Sequence, residues 1–414
     1  MTTIAPPANQ KPKGKEKRSN FSSNFSRLNL PLHGVRLPSF KIEDRYINDL
    51  SLPKDISTYD FLRELCILRF KHLGLDKGES KKTYIDRIKY ELEILSELNF
   101  VEYILLVWKV VSYCRENDIP LGLGRGSAAG SMVLFLLQIT QIDPVKYDLF
   151  FERFVSKARA KKKVVDGVTY LDGSLMCDVD IDVCYYRRAE VLKYLENEFK
   201  GSTSKILTLN TLSGKLVMKE CGKVVGGKEE SEMNTVSSLI PKVFGQVMDI
   251  KEACDEVPEL ATWCEKNPKV YNIALKLRNL IKNKGVHPSG ILLSYDKMIE
   301  SCPCELDSGK EPVSSFDMNW VSMFNVKLDV LGLRTVSVVH ECCKILKQTQ
   351  NIDIKPEDID LDDEFIYQNL FDLKNRHGLF QIEADANYEV CRKVKPKNLE
   401  ELSAVLALGR PGAM

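Results

Sequence analysis

Asp178, Asp180 and Asp182 alternate with Val179, Ile181 and Val183 in the stretch Met176-Cys-Asp-Val-Asp-Ile-Asp182. In an extended chain, successive side chains point to opposite faces. The carboxylates therefore share one face, open to a cleft, and the apolar residues share the other, able to enter a core. Like charges at this spacing repel one another, and hard divalent cations relieve the repulsion. A solvated edge strand would show the same alternation.

A glycine-rich stretch lies upstream, Ile119-Pro-Leu-Gly-Leu-Gly-Arg-Gly-Ser127. Gly122, Gly124 and Gly126 permit a tight turn and close backbone approach. Ser127 is placed to cap an apolar helix over 128–138, whose free amides would seat phosphate, with Arg125 adding charge beside them. The spacing is Gly-x-Gly-x-Gly, neither a P-loop nor the dinucleotide Gly-x-Gly-x-x-Gly. A plain helix start would read the same way. Far downstream, Val326-Lys-Leu-Asp-Val330 puts Lys327 and Asp329 on one strand face. A Gly-Ser turn, an Asp-x-Asp strand and a distant third Asp form the constellation of a two-metal nucleotidyltransferase that holds a nucleoside triphosphate.

These segments need a scaffold, and the apolar spacing supplies it. Leu62, Leu65 and Leu68 with Phe70, then Ile85, Ile88, Leu92 and Leu95, then the apolar run 100–113, predict three helices that pack as core. Residues 187–199 repeat at helical spacing and should cover the acidic strand. Residues 205–209 predict a strand, and Gly226-Gly227 should end a helix.

The 414-residue length suits two or three structural units. Hydrophobic content of 44% and charge of 28% are those of an ordinary soluble protein. The net charge of +1 carries no bulk signal for nucleic acid, so such contacts need local patches. The long apolar runs are interrupted by polar residues, so no membrane span is expected. The twelve cysteines include no Cys-x-x-Cys, which argues for reduced thiols in a cytoplasmic protein. Residues 1–45 read as a tail, with a basic cluster from Lys11 to Arg18 and a polar stretch over 19–30 expected to be disordered. Residues 157–163 form a basic loop.

Seven motifs occur in order: Gly124-Arg-Gly-Ser-Ala-Ala-Gly-Ser131, Phe151-Glu-Arg-Phe154, Asp178-Val-Asp-Ile-Asp182, Gly285-Val-His-Pro-Ser-Gly290, Lys327-Leu-Asp-Val-Leu-Gly-Leu-Arg-Thr335, Gly378-Leu-Phe-Gln-Ile-Glu383 and Arg410-Pro-Gly412. Together they resemble the C-family replicative polymerases, the alpha subunit of bacterial DNA polymerase III, across residues 50–414. Where family members usually carry proline before the first catalytic Asp, this chain has Cys177.

The resemblance implies an α/β (mixed α+β) fold. Its palm would be a nucleotidyltransferase domain similar to that of DNA polymerase beta, with an inserted helical thumb and the start of helical fingers. The expected units are a first palm segment with a helical lead-in over 46–204, thumb over 205–275, a second palm segment over 276–340 and fingers over 341–414. Asp178, Asp180 and Asp329 would hold two magnesium ions. Gly126 and Ser127 would seat the triphosphate, and Arg153 and Lys327 would stabilise its charge. Asp182 and Arg125 would support the site, and His287 would be structural. Expected partners are primer-template DNA, dNTPs and a C-terminal polymerase fragment, with a sliding clamp reached only through the missing portion. With His33 the sole histidine before His72 and no His-x-His pair, the family's PHP domain and linked proofreading are not expected. The stop at Met414 predicts a split gene, such as a viral one, or a truncated product, in a bacterial or virus-infected bacterial cell.

Overall fold

A computed structural model of the chain describes residues 33–157, 161–173, 176–243, 246–369, 376 and 378–409. The basic cluster at 11–18, the polar stretch 19–30 and the Arg410-Pro-Gly412 motif lie outside these residues. The expected tail over 1–45 is shorter than its composition suggests. Val35 exchanges backbone hydrogen bonds with Leu171 in both directions at 2.8 Å, and Leu37 and Phe40 are buried in the main core.

The lead-in is helical, as the spacing predicts: α1 (Asp44–Asp49), α2 (Thr58–His72), α3 (Lys81–Glu97) and α4 (Val101–Glu116). Ser57 caps α2 through the Asp60 amide. Helix α4 is apolar nearly all round and lies at the centre of the main core. Its one buried cation, Lys109, pairs with Glu43 at 2.8 Å and with Glu198, which ties the lead-in to the helix over the sheet.

A tight turn, Gly126–Gly130, precedes the short α5 (Met132–Leu136), so the helix expected over 128–138 does not form as one piece. Ser131 adopts an extended backbone and caps α5 through the Leu134 amide, and among the described residues Ser127 caps no helix. The hairpin β1 (Lys162–Val165) and β2 (Val168–Leu171) follows. Next come β3 (Asp180–Cys184), α6 (Arg188–Glu198) and β4 (Thr203–Thr211).

The chain then leaves the sheet for a helical unit. It comprises α7 (Gly214–Val224), α8 (Glu230–Ser238), the two-residue strands β5 (Lys242–Val243) and β6 (Gln246–Val247), α9 (Ile250–Glu256), α10 (Pro258–Lys266) and α11 (Pro268–Leu277). This unit has its own core of Val217, Met218, Met233, Ile250, Leu260 and Val270, among others. It begins after β4 rather than at residue 205, because β4 is hydrogen-bonded into the sheet along its length.

The chain returns through β7 (Ile281–Leu293), α12 (Met298–Ser301), β8 (Cys304–Leu306), β9 (Pro312–Asp317), α13 (Met318–Val321) and β10 (Val326–Leu333). The resulting sheet has the order β3-β10-β7-β4-β9-β8, with β3 parallel to β10 and β4 parallel to β9. Helix α14 (Arg334–Gln350) starts directly after β10, so the expected boundary at residue 340 falls inside a helix. Helices α15 (Glu364–Asn369), α16 (Asp385–Val394) and α17 (Leu399–Leu408) complete the described chain, the last two around a small core of Ile382, Cys391 and Val405. All twelve cysteines are free thiols. Among the described residues no helix is long and apolar enough to cross a membrane.

Candidate metal and triphosphate site

The alternation seen in the sequence holds on the strand. Val179, Ile181 and Val183 are buried in the main core, and Asp180 and Asp182 stay part-exposed on the opposite face. Asp178 lies two residues before β3. Strand β10 runs parallel beside β3 with Asp329 in register with Asp180. This register converges Asp178, Asp180 and Asp329, which offer carboxylate oxygens within 4.8 Å of one another. Asp329 is only 5% exposed, an unusual burial for a carboxylate.

Burial pushes the Asp178 carboxyl above the usual carboxylate range, and the charges of Asp180 and Asp329 push it further. Asp180 is raised mainly by burial, with Arg125 opposing and Asp329 adding to the shift. Asp182 is raised by burial and pulled back by Arg125. Three hard oxygen donors whose ionised forms disfavour one another are the donor set a divalent cation needs.

Cations already face the cluster. Arg125 spans Asp180 at 3.3 Å and Asp182 at 3.4 Å, which is how Asp182 joins the site. Lys327 lies 2.6 Å from Asp329. Ser289 donates to Asp329 at 3.2 Å. The nearby His287 Nδ1 accepts from the Gly290 amide at 2.8 Å, and burial lowers the pKa of its ring. His287 thus braces the β7 backbone.

The glycine turn sits against β3. The Gly122 amide donates to the Asp182 carbonyl at 2.9 Å, and Leu121 forms a single bridge with Val183. A methyl at Gly122 would lie 2.7 Å from the Asp182 Cβ. Gly122→Ala is therefore expected to lose about 1–3 kcal/mol, since the turn must back away from the strand. Chemical denaturation checks this, and wild-type stability would show that the contact is slack.

Gly124 and Gly126 have φ of +120° and +64°, the left-handed region that disfavours side chains. Open space surrounds the position a Gly126 Cβ would take. Gly126 and Ser127 form the start of the tight turn, within the same segment as Arg125.

The expected phosphate seat at the helix start is filled from inside. The Met132 and Val133 amides donate to Glu91 at 2.9 and 3.0 Å, and the Ser131 hydroxyl donates to the same carboxylate at 2.8 Å. Glu91 is fully buried on α3 and pairs with Arg87 Nε at 2.6 Å. Arg87 in turn donates to the Gly130 carbonyl at 2.7 Å and the Leu149 carbonyl at 2.9 Å. Sequence reasoning passed over this pair. Its signal was an acid on the apolar stripe of α3, between Ile88 and Leu92, with arginine four residues earlier.

Arg153 ends the short turn Phe151–Arg153 and is exposed. Among the described residues it forms no ion pair with Glu152 and no hydrogen bond with the acidic cluster. Elsewhere the lysines show mixed use. Lys219 pairs with Glu230 and Lys228 with Glu232 within the helical unit, and Lys157 of the basic loop pairs with Glu97. Residues 158–160 of that loop lie outside the described residues.

The family model of the bacterial DNA polymerase III alpha NTPase domain matches residues 60–332, and that of the alpha subunit finger domain matches residues 335–414. DNA polymerase III subunit alpha of Ureaplasma parvum is 31% identical over 373 residues, covering 87% of this chain and 37% of that protein. The Helicobacter pylori subunit is 31% identical over 399 residues, covering 91% of this chain and 31% of that protein. The Staphylococcus aureus subunit is 31% identical over 365 residues, covering 87% and 32% respectively. The chain thus spans about a third of the length of these relatives.

Proposed function

Because the chain belongs to the bacterial DNA polymerase III alpha family, we propose that it carries the polymerase catalytic site and transfers dNTPs to a primer 3′-hydroxyl on a DNA template. The observation that carries this reading is the convergence of Asp178, Asp180 and Asp329 from two parallel strands beside a left-handed glycine turn. The three carboxylates fit magnesium, a hard cation that prefers oxygen donors. Two magnesium ions there would lower the pKa of the primer hydroxyl and neutralise the charge of the triphosphate and its leaving group.

The protein's own residues do the rest. Gly126 and Ser127 bind the triphosphate through the open turn. Lys327 and Arg153 offer charge to its phosphates, and Arg125, held by Asp182, stands at the same cleft. Arg125 lies against Asp180 and Lys327 against Asp329, so both cations stand at the carboxylates that would hold the metal and beside the phosphates it would accompany. In this reading the 214–277 helical unit is the thumb, which grips primer-template duplex, and the helices from Arg334 onward begin the fingers. The reaction would take place in the cytoplasm of a bacterial or virus-infected bacterial cell.

The test is primer extension on a recessed template with magnesium and all four dNTPs. The chain is assayed alone and with the product of the reading frame that follows it. Template-dependent extension is expected in at least one mixture. Primer-template binding with no extension in either would overturn the catalytic reading in favour of a DNA-binding subunit. Extension without template would point to a different nucleotidyltransferase.

A further inference from the structure

One face of α3 meets both segments that the polymerase reading assigns to the triphosphate. Gly130, at the end of the glycine turn, lies so close to the second segment that a methyl there would be 2.7 Å from the Phe150 carbonyl oxygen. One nitrogen of Arg87 closes this junction by donating to Gly130 on one side and Leu149 on the other. Glu91 fixes Arg87 from behind and takes the amides that follow the turn. One turn away, the Tyr90 ring packs edge-on against the buried Phe151 with centroids 6.1 Å apart. Its hydroxyl donates to Glu152 at 2.6 Å.

Glu152 is the natural partner for the adjacent Arg153, yet the two do not pair, and Arg153 stands exposed beside it. We propose that Arg87, Tyr90 and Glu91 form the positioning device of the triphosphate site. Arg87 and Glu91 lock the glycine turn to the Phe151–Arg153 segment. Tyr90 holds Glu152 aside, so that Arg153 keeps its charge free for phosphate. The proposal rests on the polymerase reading, since it takes the triphosphate to lie at Gly126, Ser127 and Arg153.

The bond from Tyr90 to Glu152 is on the surface, and its own share of fold stability is small. Its effect is instead electrostatic and local. Without the hydroxyl, a free carboxylate competes with the triphosphate for Arg153.

Tyr90→Phe isolates this effect, because the ring stays against Phe151 and only the hydroxyl is lost. The full chain is titrated with a mant-labelled dATP in the presence of primer-template DNA and calcium. In Tyr90→Phe the Kd is expected to rise about three- to tenfold, the range of one exposed charge pair or hydrogen bond, with the melting temperature unmoved. Adding Glu152→Gln should return the Kd to within about twofold of wild type, since the competing charge is gone. A purely structural role would give no such rescue. An unchanged Kd in Tyr90→Phe, or a loss that Glu152→Gln does not reverse, overturns the proposal while wild-type binding keeps the polymerase reading intact. No saturable binding by the wild-type chain overturns that reading, and the proposal with it.

Discussion

Asp180→Asn is expected to abolish primer extension, with a loss of about 10³-fold or more, while the protein stays folded. Asp180 is the hinge of the carboxylate cluster. It faces Asp329 in register across the parallel pair and also receives Arg125. Asparagine keeps its shape and removes the charge on which cation binding depends. In the metal-free protein that charge is a burden, because burial and the neighbouring Asp329 hold the Asp180 carboxyl above its usual range. A neutral group at this position should leave the melting temperature unchanged or raise it. The two readouts therefore move apart, with activity lost and stability kept. A variant that still extends primers would sink the metal assignment, and one that unfolds would make Asp180 a structural residue.

Glu91→Ala is expected to cost about 3–5 kcal/mol of stability, among the largest losses a single substitution here can cause. The carboxylate is fully buried and accepts from two backbone amides, one hydroxyl and one guanidinium. Truncation leaves all four donors without their acceptor, and Arg87 keeps its charge with no counter-ion. Burial raises the Glu91 pKa and the four donors oppose it, with burial the larger influence. The four donors thus offset part of a strong desolvation cost. Urea denaturation measures the loss. A change below about 1 kcal/mol would mean that water replaces the carboxylate at the start of α5.

Much of the site was legible because it depends on local periodicity. A period of two put Asp178, Asp180 and Asp182 on one face and three valine or isoleucine side chains on the other, and the strand keeps that alternation. The same rule placed Lys327 and Asp329 together on β10. Helical periods located α2, α3, α4 and α6 to within a few residues, since each buries a continuous apolar stripe.

What local rules mistook were features decided by competition between partners far apart in sequence. Ser127 looks like a helix cap, but Ser131 takes that role, because Glu91, forty residues upstream, gathers the amides that follow it. The chain over 33–45 looks like a tail, but Val35 finds Leu171 and its neighbours enter the core.

By itself, then, the sequence determined which residues could carry the chemistry and which faces they would occupy, since both follow from side-chain type and a backbone repeat of two or 3.6 residues. Only the tertiary structure decided that β10 lies parallel beside β3 with Asp329 opposite Asp180, and that Arg87 and Glu91 stand behind the glycine turn. Register, and the distant backbone a buried ion pair holds, are set by long-range packing and by the cost of burying a polar group without a partner; the i,i+4 spacing signals the Arg87–Glu91 pair but not what it grips.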